Sequence, residues 1–381
     1  MSQVTSTVKG DRQMNTNIRK RAVMGAATFA TLAVLLTGCT NSGDDAAGSD
    51  DTASSSSSAD EDSEQVVKDA TEASGDGCTI DKYGVDKLDL KDAVVGFSQS
   101  EPDAAAFRAA ETKSIQDEAK KVGVKKLIVT NANAELPKQI SDIQDMLTQG
   151  VQVLIVAPVN SDGLDPALNA ARDAGVPVLT IDRKLTNESC KDYVSFLGSD
   201  FYEQGKRAAD AMNKATDGKA NVAILLGASG NNVTDQRNAG FVDQVKAKYP
   251  DLKIVAQQTA NFARDEGQSV TEQLLQSNPD INAIYAHNDE MGLGAETAIQ
   301  SAGLKPGEDV KIVSIDGTKN AVQAIADGKY NAVIESNPRF GPLAFETLDK
   351  FYGGDAIPED VIIEDREYDS SNAADGVAGA F

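Results

Sequence analysis

Histidine and cysteine are scarce in this chain, and tryptophan is absent. The 381 residues include one histidine, His287, and three cysteines. A single histidine excludes metal sites built from several histidines and leaves one residue for any Ser-His or Cys-His mechanism. Three cysteines, none of them in a C-x-x-C pair, are too few for a zinc site made of cysteines alone. We therefore expect no metal and no cofactor.

Positive charge is also in short supply. Lysine and arginine number 36 against 59 aspartate and glutamate residues, a formal charge of −23. Such a chain repels the phosphate backbone and anionic lipid headgroups alike, so nucleic acid is not an expected partner. Hydrophobic residues make up 40% of the chain, and its length has room for two domains, so we expect a folded globular body.

The N-terminal apolar run is short. Residues 22–36 carry no charge and follow Arg19, Lys20 and Arg21; a membrane-spanning helix needs about 20 such residues, so the run is typical of a signal peptide. It ends in the sequence LTGC, which resembles the lipobox of bacterial lipoproteins. We expect residues 1–38 to be a signal peptide and the lipidated Cys39 to anchor the protein to the outer face of the cytoplasmic membrane.

The residues after Cys39 are mostly Ser, Ala, Gly, Asp and Glu, with a serine run at 54–58. Such a segment buries too little apolar surface to offset its chain entropy. We expect a disordered acidic tether over residues 39–87 that holds the folded body away from the membrane. The alternative, an acidic calcium-binding tract, lacks the spacing of calcium ligands.

Two cysteines, Cys78 and Cys190, remain after Cys39 is lipidated. Export places them in an oxidising compartment, where they can pair. We predict a disulfide between them; the alternative is two buried free thiols.

Beyond residue 88, short β-branched runs alternate with amphipathic helical stretches. Strands are predicted at 93–97, 126–130, 151–157, 176–181, 194–197, 222–226, 254–258, 283–286, 310–315 and 332–335. Near-continuous apolar strands separated by helices indicate parallel sheets covered on both faces. The fold class is therefore α/β, with two doubly wound lobes rather than one long sheet.

Polar and aromatic side chains follow most of these strands, where doubly wound folds bind their ligands. Asp and Asn accept hydrogen bonds from hydroxyls, Arg donates in a fixed fork, and aromatic faces cover the C–H side of a sugar ring. Helix caps and turns explain Asp289 and Asn232 but not paired Asp182 and Arg183. The candidate ligand-binding residues are Phe97, Ser98, Phe107, Arg108, Glu111, Asp182, Arg183, Arg237, Phe262, Asn288, Asp316 and Ser336.

At these residues the chain resembles the type I periplasmic sugar-binding proteins of ABC importers, the ribose- and galactose-binding group. The segments VGFSQSEPDAAAFRAAET, VLIVAPVNSDGLDPALNAARDAGVPVLTIDRK, YAHNDEMGLGAETAIQSAGLKPGEDVKIVSIDGT and GPLAFETLDKFYGG are most similar to the galactofuranose-binding member. The resemblance implies lobes over 88–199 with 338–359 and over 200–337 with 360–381. The hinge would be three crossovers near Gly198, Asn337 and Asp360.

The resemblance also assigns roles to single residues. Asp182 and Arg183 match a family Asp-Arg pair that binds sugar hydroxyls, and Arg237 matches a second arginine. Asn288 and Asp316 match acceptors in the HND and IDG motifs, Phe262 matches an aromatic in a DF(D/T)R motif, and Phe107, Arg108 and Glu111 match a W-R-A-A-E segment. Phe107 stands where the galactofuranose-binding member has Trp, so the preference between furanose and pyranose stays open.

The resemblance implies a monomeric extracytoplasmic protein that binds a galactose-like monosaccharide, galactofuranose among the candidates, and delivers it to ABC permease subunits. It implies no enzyme activity. Two alternatives remain: a lipid-anchored sensor that presents the bound sugar to a membrane receptor, and a binding protein for a non-carbohydrate solute. The GASG loop lacks the Gly-Lys-Ser/Thr of a phosphate-binding loop, and we expect His287 to be a packed neighbour of Asn288 rather than a base.

Overall fold

The structure, a computed structural model, describes residues 67–71 and 77–381. The predicted signal peptide, the lipidation site Cys39 and the serine run 54–58 lie outside the described residues.

Within those residues, the first lobe is built on a seven-stranded sheet in the order β1-β12-β6-β5-β4-β2-β3. Its strands are β1 (Val67–Thr71), β2 (Val94–Gln99), β3 (Lys126–Asn131), β4 (Val153–Val156), β5 (Val178–Ile181), β6 (Phe196–Gly198) and β12 (Asp360–Ile363). The pairing of β1 with β12 is antiparallel, and the other pairings are parallel. The helices of this lobe are α1 (Ile80–Tyr83), α2 (Ala106–Val122), α3 (Leu136–Thr148), α4 (Asp165–Asp173) and α10 (Gly341–Gly353).

The second lobe has a six-stranded sheet in the described part of the chain, in the order β13-β11-β10-β9-β7-β8. Its strands are β7 (Ala220–Leu226), β8 (Leu252–Thr259), β9 (Ala283–Ala286), β10 (Lys311–Asp316), β11 (Ala332–Glu335) and β13 (Glu367–Asp369). Only β13 is antiparallel to its neighbour among the pairings of these strands. The helices are α5 (Phe201–Ala215), α6 (Asn232–Lys248), α7 (Arg264–Ser277), α8 (Asp289–Ser301), α9 (Lys319–Ala326) and α11 (Ala373–Gly376).

The central strands are continuous apolar runs because helices cover both faces of each sheet. All four residues of β4 (VLIV) and of β9 (AIYA) are buried. In the first lobe, one face packs on α2 and α10 and the other on α3 and α4. Parallel strands buried on both faces are what the sequence pattern predicts, and the α/β prediction with two parallel-sheet lobes is confirmed.

Between residues 77 and 381 the chain crosses from lobe to lobe three times, after β6, after β11 and after β12. The predicted third crossing, before Asp360, is placed too early. Asp360 pairs with Phe196 and Ile362 pairs with Gly198, so β12 extends the first sheet. Val361 and Ile363 bury their side chains in the core of that lobe, which explains why the chain crosses only afterwards.

The predicted tether, residues 39–87, also extends too far. Strand β1 pairs with β12, and residues 77–87 are part of the first lobe. The backbones of Cys78 and Ile357 exchange hydrogen bonds of 2.8 and 2.9 Å, and Ile80 is buried in the core. Thr79 caps α1 by accepting from the Lys82 amide. A single buried isoleucine and one cap are too sparse a pattern to separate this segment from the acidic stretch before it.

A disulfide joins Cys78 to Cys190, with the two Cα atoms 5.1 Å apart. Cys190 lies in the connection between β5 and β6. The bond spans 112 positions of sequence and attaches the N-terminal end of the folded body to the first lobe.

Candidate functional site

A cleft of about 610 Å³ lies between the lobes, at the carboxyl ends of strands from both sheets. Parallel strands of a doubly wound sheet present their following loops at one edge, and here the two edges face each other. Eight of the predicted ligand-binding residues line this cleft: Phe107, Arg108, Asp182, Arg183, Arg237, Phe262, Asn288 and Asp316.

The first-lobe wall carries two arginines joined by one carboxylate, Glu101. Glu101 accepts from Arg108 Nε at 2.9 Å and from Arg183 Nη2 at 2.6 Å. Arg108 Nη1 also lies 2.7 Å from Asp182 Oδ2. Burial alone would raise the pKa of Glu101, but the charges of Arg183 and Arg108 outweigh it and lower that pKa to about 2. Glu101 is therefore ionised at neutral pH and holds both guanidinium groups in place.

The backbone fixes how Asp182 and Arg183 are presented. Asp182 has a φ of 63°, in the left-handed region, and the Arg183 amide donates to the Ile181 carbonyl at 2.7 Å. This tight turn at the end of β5 lets the side chains of both residues reach the cleft. Arg183 Nη1 donates to the carbonyls of Pro158 and Val159, which buries most of the side chain.

Glu111 lies behind Arg108 rather than in the cleft. Its Oε2 accepts from Arg108 Nη1 at 2.8 Å and from Gln99 Nε2 at 2.9 Å. Burial raises the pKa of Glu111 to about 7, with the charge of Arg108 opposing the rise. Glu111 therefore supports Arg108 from behind and does not line the cleft.

The second-lobe wall is organised around Arg237 on α6. Its Nε donates to Gln204 Oε1 at 2.9 Å, and its Nη1 donates to the His287 carbonyl at 2.6 Å. Arg237 Nη1 lies 3.8 Å from Asp316 Oδ1, so each wall of the cleft carries an arginine beside an aspartate. Burial raises the pKa of Asp316 well above its usual range, and Arg237 opposes this only in part.

Asn288 and Phe262 form the rim of the second wall. Asn288 Oδ1 caps α8 by accepting from the Met291 amide, and its Nδ2 donates to the Phe262 carbonyl at 3.1 Å. Phe262 has a φ of 61° and packs against core residues of both lobes. The ring lies 5.9 Å from the guanidinium carbon of Arg183, so it faces the first wall.

Besides Glu111, three more predicted ligand residues lie outside the cleft. Phe97 is fully buried in the first-lobe core, and Ser98 accepts from Gln139. Both belong to β2, which continues to Gln99, so the true strand end comes two residues later than predicted. Ser336 is buried, and its amide donates to the Asp316 carbonyl and continues the ladder between β10 and β11.

Glu101 and the rim pair formed by Arg264 and Glu290 also line the cleft, although they are not among the predicted ligand-binding residues. Glu101 is the second residue after β2, and its signal was a carboxylate at a strand end in the segment SQSEP. Arg264 donates to Glu290 from Nε at 2.7 Å and from Nη2 at 3.1 Å. Asn261 also lines the cleft without having been predicted.

His287 is a packed residue, as the sequence predicts. Its ring is fully buried, and Nδ1 accepts from the Gly227 amide at 3.3 Å. Burial, with the charge of Arg237, lowers the pKa of His287 to about 3, so the imidazole is neutral. A neutral ring bonded to a backbone amide is not poised as a general base.

The described residues contain no group of three or more His, Cys, Asp or Glu side chains placed to hold a metal ion. None of the helices in that part of the chain is long and apolar enough to cross a membrane.

Paired arginines and aspartates on both walls, with phenyl rings beside them, can enclose a small polar ligand between two lobes. Fold and cleft together define a two-lobed α/β binding protein. Residues 95–355 match the family described as periplasmic binding protein domain, and the chain belongs to that family. It is a binding protein and not an enzyme.

Individual relatives agree with this assignment. The galactofuranose-binding protein of Escherichia coli (strain K12) is 35% identical over 269 residues, which cover 70% of this chain and 84% of that protein. The ribose import binding protein of Bacillus subtilis (strain 168) is 36% identical over 272 residues, covering 71% of this chain and 85% of that protein. A crystal structure from Mycobacterium smegmatis in complex with β-D-fucofuranose is 39% identical, with a TM-score of 0.71 over 74% of this chain and 93% of that one.

Proposed function

We propose that this protein is the extracytoplasmic sugar-binding component of an ABC importer and that it encloses a galactose-like monosaccharide between its lobes. The observation that carries the proposal is the arginine and aspartate on each wall, Arg108 with Asp182 and Arg237 with Asp316. A monosaccharide presents hydroxyls around its whole ring, and each hydroxyl both donates and accepts. Donors and acceptors on two facing walls suit such a ligand, and the bound ligand favours the closed arrangement.

We infer that the ring form is a furanose, with galactofuranose the first candidate. One of the related proteins above is named for galactofuranose, and another was crystallised in complex with β-D-fucofuranose. The aromatic residues at the cleft, Phe107 and Phe262, supply faces that cover the C–H side of a small ring. The partner of the loaded protein is then the permease of the importer.

Titration calorimetry of the purified protein tests the sugar and its ring form. In methyl β-D-galactofuranoside and methyl β-D-galactopyranoside the methyl group prevents the two ring forms from interconverting. Free D-galactose, L-arabinose and D-ribose lack this methyl group, so they show whether the cleft excludes a substituent on the anomeric oxygen. We expect the galactofuranoside, or a free sugar able to adopt a furanose, to bind more tightly than the locked pyranoside. Tighter binding of the pyranoside would overturn the furanose assignment, and a protein that binds no sugar would point to a non-carbohydrate solute.

The variant Asp316→Asn tests the cleft assignment. The Asp316 side chain is buried beside Arg237, and Asn keeps its shape while replacing one carboxyl oxygen with an amide nitrogen, which cannot accept a hydrogen bond. Since a buried polar group that loses its hydrogen-bond partner costs about 1 to 3 kcal/mol, affinity should fall about tenfold. The matched control is Asp280→Asn, at an exposed position outside the cleft. Equal affinities in wild type and Asp316→Asn would mean that Asp316 does not bind the ligand.

We also propose that a lipid on Cys39 anchors the protein to the outer face of the membrane. The support is the sequence alone, a basic flank and an apolar run ending in LTGC. The variant Cys39→Ser should leave the membrane fraction for the soluble one, because residues 22–36 are too short to anchor the protein by themselves. A Cys39→Ser protein that stays with the membrane after losing its leader would refute lipidation.

A further inference from the structure

Asp365 lies where the three crossings between the lobes converge. Ser199, at the first crossing, donates to Asp365 Oδ1 at 3.0 Å. Gln204 on α5 donates from Nε2 to Asp365 Oδ2 at 2.8 Å, and Arg207 donates to the Asp365 carbonyl at 2.9 Å. The carbonyl of Glu335, at the second crossing, accepts from the same Gln204 nitrogen at 3.3 Å. None of these side chains lines the cleft described above.

The orientation of the Gln204 amide is set by these acceptors. The Glu335 carbonyl only accepts and Arg237 Nε–H only donates, so the amide nitrogen must face Glu335 and Asp365. The amide oxygen then points the other way, where it accepts from Arg237 Nε at 2.9 Å. Gln204 is almost fully buried, so water does not compete for either end of the amide.

Arg237 is the cleft residue at the end of this chain of contacts. Gln204 holds its Nε, and the His287 carbonyl holds its Nη1 at 2.6 Å. Because a guanidinium group is planar, hydrogen bonds to two of its nitrogens fix both the orientation of its plane and the direction in which it points. Arg237 thereby faces the cleft beside Asp316 with its direction fixed before any ligand arrives.

We propose that Asp365, acting through Gln204, is a positioning residue that aims Arg237 at the ligand and couples this arginine to the hinge. The inference rests on the proposed function in that the ligand is a sugar. Because Ser199 and Asp365 belong to different crossings, the contacts around Asp365 depend on how the crossings are arranged. The direction of the Arg237 side chain therefore depends on how the three crossings of the hinge are arranged.

Groups from several elements face the Asp365 carboxyl, and burial has the largest effect on its pKa. Burial raises the pKa of Asp365 to about 7; the hydrogen bonds from Gln204 and Ser199 lower it, Glu335 raises it and Arg207 lowers it. The neutral amide of Asp365→Asn therefore resembles the protonated carboxyl, which is populated near neutral pH. An asparagine also keeps an acceptor for Gln204, whereas an alanine does not.

Calorimetry on the purified protein with the tightest sugar of the panel tests the relay. Gln204→Ala and Asp365→Ala should each weaken binding about tenfold, since each ends the support of a charged donor. The double variant should be no weaker than Gln204→Ala alone, because Asp365 acts through Gln204. Asp365→Asn should bind within about threefold of wild type. Unchanged affinity in either alanine variant, or losses that multiply in the double variant, would overturn the proposal.

A matched control separates positioning from stability. Gln244 on α6 is a buried glutamine that donates to Asp210 on α5 at 2.6 Å, away from the cleft. Gln244→Ala should lower the melting temperature as Gln204→Ala does while leaving sugar affinity unchanged. An equal loss of affinity in both variants would show that loosening of α5 and α6, and not the relay, governs binding.

A second measurement does not need the sugar. In the ¹⁵N spectrum, the Nε–H of Arg237 should exchange slowly with water in wild type and Asp365→Asn, and faster in Gln204→Ala and Asp365→Ala. If no sugar binds, the proposed function fails while this exchange still decides the positioning role. Equal exchange in wild type and Gln204→Ala would reject that role whatever ligand the protein binds.

Discussion

Glu101 is the residue on which the first wall of the cleft depends. Its carboxylate contacts Arg108 and Arg183, which come from α2 and from the turn after β5. All three side chains belong to the first lobe, so their contacts do not depend on how close the second lobe lies. A half-buried carboxylate between two guanidinium groups stabilises the lobe through these ion pairs only while it is ionised.

Glu101→Gln should therefore lower the free energy of unfolding at pH 6 and should make little difference near pH 2. The pKa of Glu101 is lowered from 4.5 to about 2, so its stabilisation is complete above about 4.5 and is lost as the pH falls to about 2. A single proton gives a slope of at most about 1.4 kcal/mol per pH unit. Urea unfolding of both proteins from pH 6 to pH 2.5 measures the difference.

The control is Glu188→Gln, which removes an exposed pair with Lys191. Exposed pairs contribute little, so its difference from wild type should stay small at every pH. A constant gap between wild type and Glu101→Gln across the range would contradict the assignment of the low pKa.

At the scale of elements, close packing of α5 against α6 places Arg237 and Gln204 side by side. Glycines make the approach possible: a Cβ on Gly205 would lie 2.3 Å from the Arg237 carbonyl, and one on Gly240 would lie 2.0 Å from the Tyr202 carbonyl. Helices α7 and α8 also pack closely at a glycine, since a Cβ on Gly294 would lie 2.1 Å from the Arg264 carbonyl. Backbone cannot move aside as a flexible side chain can, so a methyl group at these positions must separate the helices.

Gly240→Ala should destabilise the protein by roughly 1 to 3 kcal/mol, the usual cost of overpacking, and weaken sugar binding because α6 carries Arg237. Urea unfolding and calorimetry measure the two effects. Gly353→Ala is the control, at a helical glycine of α10 with nothing within 4 Å of the added Cβ. It should be neutral or slightly stabilising, because alanine favours helix more than glycine. A Gly240→Ala protein as stable as wild type would show that α5 and α6 have room to separate.

For the molecule as a whole, the lobes contact one another beside the cleft. The Ser161 amide donates to the Gly230 carbonyl at 2.9 Å, and the Asn232 amide donates to Ser161 Oγ at 3.0 Å. The Lys184 amide donates to Asn232 Oδ1 at 3.1 Å. Val233 packs into a core cluster of the first lobe. These contacts join the two lobes, so we expect them to break if the lobes separate.

Asn232→Ala should shift the ligand-free protein towards the open arrangement, because its side chain accepts across the gap between the lobes. A net hydrogen bond contributes about 1 kcal/mol, so sugar affinity should fall about fivefold. Small-angle scattering should give a larger radius of gyration without sugar and the wild-type value at saturation. Asn221→Ala, which removes a bond inside the second lobe, is the control. Identical scattering and affinity in Asn232→Ala and wild type would mean that this contact does not govern closure.

The sequence by itself determined the class of the fold and much of the site. Apolar runs separated by helical periodicity mark ten strands of the two sheets, because parallel strands buried on both faces leave a strong local pattern. Asp182 and Arg183 are adjacent in sequence and follow such a run, so their place at a strand end is a local property too. Strands β1, β12 and β13 were not predicted, and the third crossing was placed before β12 instead of after it. Half-buried and buried residues alternate along β12 and β13, so neither strand is a continuous apolar run.

Tertiary structure alone decided which of these residues act together. Glu101 meets Arg183 across 82 positions of sequence, and Asp365 meets Gln204 across 161. Phe97 is the same residue type as Phe107 and Phe262 of the cleft, but the length of β2 buries Phe97, and Ser98 after it, inside the lobe. The periodicity of a segment depends only on how that segment is buried against its own sheet. The distance between two loops depends instead on how the sheets twist and where the chain crosses between the lobes. That distance sets the pKa of Glu101 and the direction of Arg237.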